Sequence, residues 1–298
     1  MPLPHLLLAL TIVAIWGSNF VVIKLALATL PPLFFGVLRF AFALLPAVFF
    51  IRRPAVPWRH LAAYGVLIGA GQFGLLYVAM GRGGQGAISP GLASLVIQTQ
   101  VFFTIGLAIV LAGEKVQRFQ WLALGLAVAG LAVIATHTDA TTTPLGLALV
   151  LLAALSWASG NLVARRSGRV DMLAYVVWSS AFALPPLMAM SLWLEGPALA
   201  WHSLQQATPG VWAAVLWQSV GNALFGYAAW GWLLARHPAA TVVPMALLVP
   251  VFGMTASALL LAEPLPGWKL GAAALVLGGL ALNLLWPKLR ARWASAAA

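Results

Sequence analysis

Amide, hydroxyl and aromatic side chains recur at helical spacing inside the long apolar segments of this 298-residue sequence. Residues three or four positions apart share one face of a helix. The pairs with this spacing are Trp16 with Asn19, Ser94 with Gln98, Trp157 with Asn161, and Gln218 with Asn222, and Tyr77 and Tyr227 lie in similar segments. An amide both donates and accepts hydrogen bonds, and an aromatic ring can stack on an apolar group or face a cation. We interpret these ten residues as a candidate binding site for a small polar solute. The alternative is that the amides only bond neighbouring helices.

Acidic residues avoid the middle of the apolar segments. There are five in all: Glu114 and Glu263 at the ends of predicted helices, and Asp139, Asp171 and Glu195 in predicted loops. A charge at the centre of a bilayer costs at least about 2.5 kcal/mol and usually marks a proton or ion pathway. The distribution therefore predicts solute movement by uniport or exchange, without a carboxylate proton relay.

Familiar catalytic and cofactor motifs are missing from the sequence. There is no cysteine, which excludes thiolate nucleophiles and thiolate metal sites. Gly81, Gly83 and Gly86 satisfy the spacing of a dinucleotide-binding loop, but no strand precedes them, so that mechanism cannot operate. We predict no enzymatic activity, no cofactor and no metal site.

The composition requires a membrane protein. Hydrophobic residues make up 63% of the chain and charged residues 7%, far too few to cover a water-facing surface. A helix needs about 20 mostly apolar residues to span a bilayer. Ten segments qualify: 5–28, 31–51, 60–81, 88–112, 119–136, 144–164, 170–194, 208–233, 238–262 and 266–287. The predicted fold is an all-α polytopic membrane protein with ten transmembrane helices.

The net charge of +11 is a topology signal. Twelve of the 16 Lys and Arg residues fall in alternate loops and the C-terminal tail, against two in the other loops, which places both termini in the cytoplasm. Nucleic-acid binding is excluded because these residues form small clusters between apolar runs. The predicted partners are membrane lipids and a small-molecule substrate, and we expect a monomer.

The two halves of the chain, 1–137 and 138–298, match each other at a shift of about 140 to 150 residues. Matched positions include Gly71 with Gly221, Gln72 with Asn222, Tyr77 with Tyr227, and 41–44 with 181–184. Because each half has five predicted spans, the second would enter the membrane from the opposite side. Such inverted repeats place the substrate near the midplane and support alternating access.

Several of these motifs resemble the EamA-type transporters of the drug/metabolite transporter superfamily. The resemblance rests on 16–20 (WGSNF), 38–40 (LRF), 113–114 (GE) and, in the second half, 157–161 (WASGN), with Pro250, Glu263 and 278–279 (GG). Within the family, 91–96 with Gln98 and Gln100 is similar to exporters of cysteine and O-acetylserine, and exporters of aromatic amino acids are relatives. The resemblance implies a bacterial inner-membrane exporter of small neutral amino acids. Spans 1, 3, 4, 6, 8 and 9 would line its cavity, and spans 5 and 10 would lie at the periphery.

Two basic residues and two prolines inside the predicted spans also have predicted roles. Arg39, inside the second span, could bind a substrate carboxylate, but we favour a structural clamp because this span is peripheral in the family. Lys24 is expected to extend to the membrane surface, and Pro244 and Pro250 to form a hinge. A passive channel and a lipid-phosphate flippase are the alternative functions.

Overall fold

The computed structural model describes residues 1–81, 87–112, 117–137, 141–168 and 170–296, without the side chains of 112, 239, 240 and 288–296. Glu114 and Asp139, and the glycines Gly83 and Gly86 of the false dinucleotide motif, lie outside the described residues.

All regular elements in these ranges are helices. They are α1 Leu3–Ala26, α2 Pro32–Phe50, α3 Trp58–Met80, α4 Pro90–Leu111, α5 Arg118–Thr136, α6 Pro144–Arg166, α7 Met172–Glu195, α8 Pro197–Gln205, α9 209–236, α10 Val243–Leu261 and α11 Gly267–Ala296. A break at Leu45 and Pro46 interrupts α2. The short helix α8, which lies between two predicted spans, was not predicted. It begins at Pro197, and proline is favoured in the first turn of a helix.

Nine of the described helices are long and apolar enough to cross a membrane. They correspond to nine of the ten predicted spans. The remaining predicted span is α9, which is helical throughout but is not one of the nine. Its middle contains Gln218, Ser219 and Asn222, which lower its hydropathy.

Three pairs of helices pack side by side. Helix α5 packs along α11, α2 along α7, and α4 along α10. Helix α1 contacts α9 and α10, while α6 contacts α3 and α4. The core follows these contacts and includes the fully buried Phe35, Tyr77 and Tyr175.

Regular α-helical geometry is interrupted in the middle of α3, α4 and α9 and at the start of α10. Helices α3 and α9 contain π-helical segments, Leu67–Gly74 and Trp217–Phe225. Helix α4 contains a 3₁₀ segment at Ile97–Thr99, and α10 begins with one at Val243–Leu248, directly after the four-residue helix Ala239–Val242. Departures of this kind are frequent at functional sites and hinges.

Two carboxylates join helices at one end of the bundle. Glu195, predicted in a loop, is instead the last residue of α7, and its two oxygens accept the backbone N–H groups of Leu33 (2.6 Å) and Phe34 (2.9 Å) at the start of α2. The first N–H groups of a helix have no partner within it, so an acceptor from a neighbouring helix is well placed there. Glu195 therefore fixes the end of α7 to the start of α2.

Glu263 makes the second junction, between α10 and α4. It accepts hydrogen bonds from Ser89 Oγ (2.5 Å), the Gly91 N–H (3.0 Å) and Lys269 Nζ (2.9 Å), and also from Ser257 Oγ. Burial alone would raise the pKa of this carboxyl, but the hydrogen bonds outweigh burial and hold the pKa below its ordinary value. The junction is consequently charged at neutral pH, and its contribution to stability is lost only as the pH falls through that lowered pKa.

Lys24 joins the ends of two helices. Its Nζ donates to the backbone oxygen of Met80, the last residue of α3, at 3.0 Å. The last carbonyls of a helix have no partner within it, so an ammonium is well placed there. That Lys24 extends to the membrane surface stays a prediction.

Removing Glu263 should destabilise the fold more than removing Lys269. Glu263→Ala leaves three hydrogen-bond donors without their acceptor and the buried Lys269 ammonium without its anion, whereas Lys269→Ala leaves Glu263 with three donors. Breaking a buried ion pair costs about 3–5 kcal/mol, and we expect Glu263→Ala to reach this range. Unfolding of the two variants in detergent measures the difference. An equal or larger loss for Lys269→Ala would contradict the assignment.

A close crossing of α1 and α10 should make Gly17 intolerant of any side chain. A Cβ at this position would lie 2.5 Å from the backbone oxygen of Val249, which cannot move aside cheaply. Overpacking of this kind costs about 1–3 kcal/mol. We expect Gly17→Ala to lower the thermal unfolding temperature, and the matched control Gly125→Ala, with nothing within 4 Å of its Cβ, to leave it unchanged. Equal unfolding temperatures for both variants would show that the helices separate easily.

Candidate functional site

The first group of predicted site residues joins α1 to α9. Asn19 Nδ2 and Asn222 Nδ2 both donate to Gln218 Oε1 at 3.4 Å, and the Trp16 indole N–H donates to the backbone oxygen of Asn222 at 3.1 Å. Asn19 Oδ1 and Gln218 Nε2 have no hydrogen-bond partner. This α1–α9 amide cluster thus keeps one free acceptor and one free donor in the interior of the bundle.

The π-helical segment of α9 positions this cluster. Gln218 and Asn222 are both in the segment 217–225, so their side chains and a backbone carbonyl face α1 together. Gly226 allows the Trp16 ring to approach, because a Cβ there would be 2.5 Å from the indole nitrogen. The sequence pairing of Trp16 with Asn19 and of Gln218 with Asn222 therefore corresponds to one site.

The second group joins α6 to α4. Asn161 Nδ2 donates to Gln100 Oε1 at 3.1 Å, and Gln100 Oε1 also receives the Thr104 hydroxyl at 3.4 Å. Trp157, one helical turn before Asn161, is partly buried against the core. Gln100 was not among the predicted site residues. The sequence signal that could have identified it is its spacing to Thr104, which places both residues on the same helix face.

Ser94 and Gln98 lie at the contact between α4 and α10. Ser94 is fully buried, donates to the backbone oxygen of Gly91 at 2.7 Å, and packs so closely on Gly253 that a Cβ there would be 2.4 Å from its hydroxyl. Gln98 Nε2 reaches the backbone oxygen of Ala246 at 3.5 Å, in the 3₁₀ segment of α10. Gln98 and Gln100, two residues apart, thus bond different helices, as their spacing requires.

The two predicted tyrosines have different environments. Tyr77 is fully buried between Phe35 and Phe73, with ring centroids at 4.9 and 5.6 Å, and its hydroxyl has no hydrogen-bond partner. Tyr227 lies beside Trp16, with ring centroids 6.0 Å apart, and its hydroxyl interacts with that of Tyr64. Tyr77 is a core residue, whereas Tyr227 extends the amide cluster towards the centre of the bundle.

The expected hinge prolines both lie at an irregular part of α10. Pro244 is in the 3₁₀ segment Val243–Leu248, and Pro250 is in the first turn of the α-helical part that follows. Proline lacks the N–H that an α-helix needs, which accounts for the change of geometry at this place.

A small cavity lies between α2, α3, α7 and α9, and Arg39 lines it. Its volume is about 10 Å³, enough for about one water molecule. The other polar or aromatic residues of its wall are Phe40, Tyr64, Phe73, Ser179, Ser180 and Tyr227. Tyr227 is the one predicted site residue among the lining.

Arg39 is 2% exposed, and its guanidinium carbon is 3.5 Å from the centre of the Phe73 ring and 4.6 Å from that of Phe40. Its Nε and Nη1 have no hydrogen-bond partner. The favoured expectation was a clamp tied to backbone carbonyls, and the structure does not give these two nitrogens such a bond. The signal in the sequence was a basic residue inside an apolar span, but its surroundings depend on how four helices meet.

Comparisons of this chain with a family model and with named proteins indicate the same kind of protein. The model of the EamA-like transporter family matches residues 3–136 and again residues 144–285. A protein of Salmonella typhimurium named probable amino-acid metabolite efflux pump is 38% identical over 95% of this chain and 95% of its own. A protein of Escherichia coli K12 with the same name is 38% identical over 94% of this chain and 96% of its own.

The fold is shared with a solved protein structure. That crystal structure covers 96% of this chain and 98% of its own, with a TM-score of 0.61 and 19% sequence identity. Together with the nine apolar helices among the described residues, the two matches of the family model and the two relatives identify the chain as a multi-pass membrane protein that belongs to the EamA-like transporter family.

Proposed function

We propose that this protein exports small neutral amino acids and related metabolites across a bacterial inner membrane. The observation that carries the proposal is the 38% identity, over 95% of both chains, to a protein named probable amino-acid metabolite efflux pump. The α1–α9 amide cluster supports it, because a zwitterion needs both a hydrogen-bond donor and an acceptor and the cluster has one of each unused.

Ten transmembrane helices arranged as two inverted repeats, 1–137 and 138–298, are part of the proposal. Helix α9 then serves as the tenth span, and α1–α5 correspond in order to α6, α7, α9, α10 and α11. The packing supports this correspondence: α1 contacts α9 and α10, and α6 contacts their counterparts α3 and α4. The π-helical segments of α3 and α9 and the 3₁₀ segments of α4 and α10 are likewise at corresponding places.

Transport proceeds by alternating access in this proposal, and both termini are cytoplasmic. The carboxylates Glu195 and Glu263 then lie at the outer end of the bundle, where each joins two helices. Opening that end exchanges their hydrogen bonds for bonds to water, while the irregular segments of α3, α4, α9 and α10 absorb the change of helix direction.

Coupling to a proton relay is not part of the mechanism. Among the described residues, the acidic side chains are Asp171, Glu195 and Glu263, and each is bonded at a helix end. The protein therefore works as a uniporter or exchanger.

Reconstituted protein should exchange methionine without an imposed pH gradient. Vesicles loaded with unlabelled methionine should take up labelled methionine with saturation, since a binding step precedes each conformational change. The twenty amino acids and O-acetylserine, tested as competitors, define the specificity. Flux that does not saturate would indicate a channel, uptake that requires a pH gradient would contradict the relay-free mechanism, and movement of labelled lipid instead of amino acids would indicate a flippase.

Replacing Asn19 should weaken transport while the protein remains folded. Asn19→Leu removes the free acceptor and the bond to Gln218 but keeps the side-chain volume. A hydrogen bond contributes about 0.5–1.5 kcal/mol, which corresponds to about a two- to tenfold loss in kcat/KM. The control Gln206→Leu removes an exposed amide outside the spanning helices and should transport normally. Normal methionine exchange by folded Asn19→Leu would show that the amide cluster is not part of the binding site.

A further inference from the structure

Arg39 is a buried cation whose cavity lacks an anion. The charge is 2% exposed, and no acidic residue is part of the cavity lining described above. Burying a charge is costly unless it is paired, and the guanidinium cannot discharge itself by losing a proton at any ordinary pH. The charge is stabilised by the faces of the Phe73 and Phe40 rings. These contacts leave the N–H groups at the edges of the guanidinium free.

The guanidinium has unused donors that can bind a carboxylate. Its Nε and Nη1, which lie on different edges of the group, have no hydrogen-bond partner, so an anion at either edge would find a charged N–H group. Tyr64 and Tyr227 also line the cavity, and their hydroxyls interact with each other. The hydroxyls of Ser179 and Ser180 are used by their own helix, since both donate to the Val176 carbonyl.

Small residues in the second half of the chain leave the space in front of the guanidinium. At the shift that matches 41–44 to 181–184, Arg39 corresponds to Ser179 and Phe40 to Ser180. At the shift that matches Tyr77 to Tyr227, Phe73 corresponds to Ala223. All six line the cavity. One half thus supplies the charge and its aromatic support, and the other supplies room.

The cavity also lies where the two halves meet. Its four helices, α2, α3, α7 and α9, are two pairs of corresponding helices under the proposed repeat, so the cavity is on the proposed two-fold axis. Substrate sites of transporters built from inverted repeats lie near this axis, at the midplane of the bilayer.

We propose that Arg39 binds the carboxylate of the transported amino acid in this cavity. The inference rests on the proposed function, because it assigns the position of the substrate within the same transport path. In the present conformation the cavity has room for about one water molecule. It therefore receives substrate when α3 and α9 move, and residues of their π-helical segments, Ile68, Phe73 and Ala223, form part of its wall.

The ammonium group of the same substrate would face the amide cluster. Tyr227 connects the two places, because it lines the Arg39 cavity and packs on Trp16 of the cluster. A neutral amino acid thus finds a donor for its carboxylate at Arg39 and an acceptor for its ammonium at Asn19 Oδ1. This arrangement would favour zwitterions with no acidic residue among the residues that line the described cavity.

The test compares labelled methionine with methioninamide, which lacks the carboxylate, in wild-type and Arg39→Gln proteoliposomes. Wild-type protein should exchange methionine at least about tenfold better than methioninamide. Arg39→Gln should lose this preference, with methionine exchange reduced by about tenfold or more and methioninamide exchange changed by less than about twofold. Arg39→Lys, which keeps the charge but not the fork, should fall between the two.

The matched control is Arg236→Gln. Arg236 is also stacked on an aromatic ring, 4.0 Å from the centre of Trp232, but it is exposed and outside the cavity. This variant should retain the full preference for methionine.

A thermal-shift measurement on detergent-solubilised protein separates loss of binding from loss of folding. Methionine should raise the unfolding temperature of the wild type but not that of Arg39→Gln, and methioninamide should raise neither. A preference for methionine that survives in folded Arg39→Gln would overturn the proposal. So would stabilisation of the wild type by chloride or acetate but not by methionine, because the cavity would then be a site for free anions. If wild-type protein exchanges neither probe, the proposed function itself fails.

Discussion

Hydrocarbon offers no hydrogen-bond partner, so every polar group inside this bundle must find one on another part of the chain. This constraint explains why the buried polar side chains fall at helix contacts. Asn161 bonds Gln100 across α6 and α4, and the Ser219 hydroxyl donates to the backbone oxygen of Arg39 across α9 and α2 at 3.0 Å. The polar residues therefore determine which helices are neighbours, while glycines such as Gly17 determine how closely they approach. Groups left without a partner are exceptions to this constraint, and Arg39, Asn19 and Gln218 are three of them.

Much of the architecture could be predicted from the sequence because apolar length and charge placement are properties of the chain alone. Nine predicted spans are apolar helices, and Gln98 and Gln100 bond different helices as their spacing indicates. Contact partners could not be predicted. Glu195 was assigned to a loop, and the bond of Lys24 to Met80 was not foreseen, because the sequence does not show which helix end lies beside each of them.

The candidate site could be predicted only in part for the same reason. The pairing of Trp16 and Asn19 indicated one face of α1, but the bond of Asn19 to Gln218 depends on a π-helical segment nearly 200 positions later. No periodic pattern of apolar residues in the sequence predicts a π-helical segment there. Arg39 was visible as an unusual residue, yet its free nitrogens depend on the small side chains of Ser179, Ser180 and Ala223 in the other half of the chain.

Glu195 and Glu263 also distinguish the two ends of the bundle energetically. Each carboxylate accepts N–H groups from the first turn of another helix, where the helix dipole favours negative charge. Nothing in the described residues gives the opposite end a similar pair of carboxylates. Under the proposed alternating access, opening the carboxylate end would break both junctions, whereas opening the other end would break neither. The free energy of the two junctions would then add to the barrier of one half of the transport cycle only.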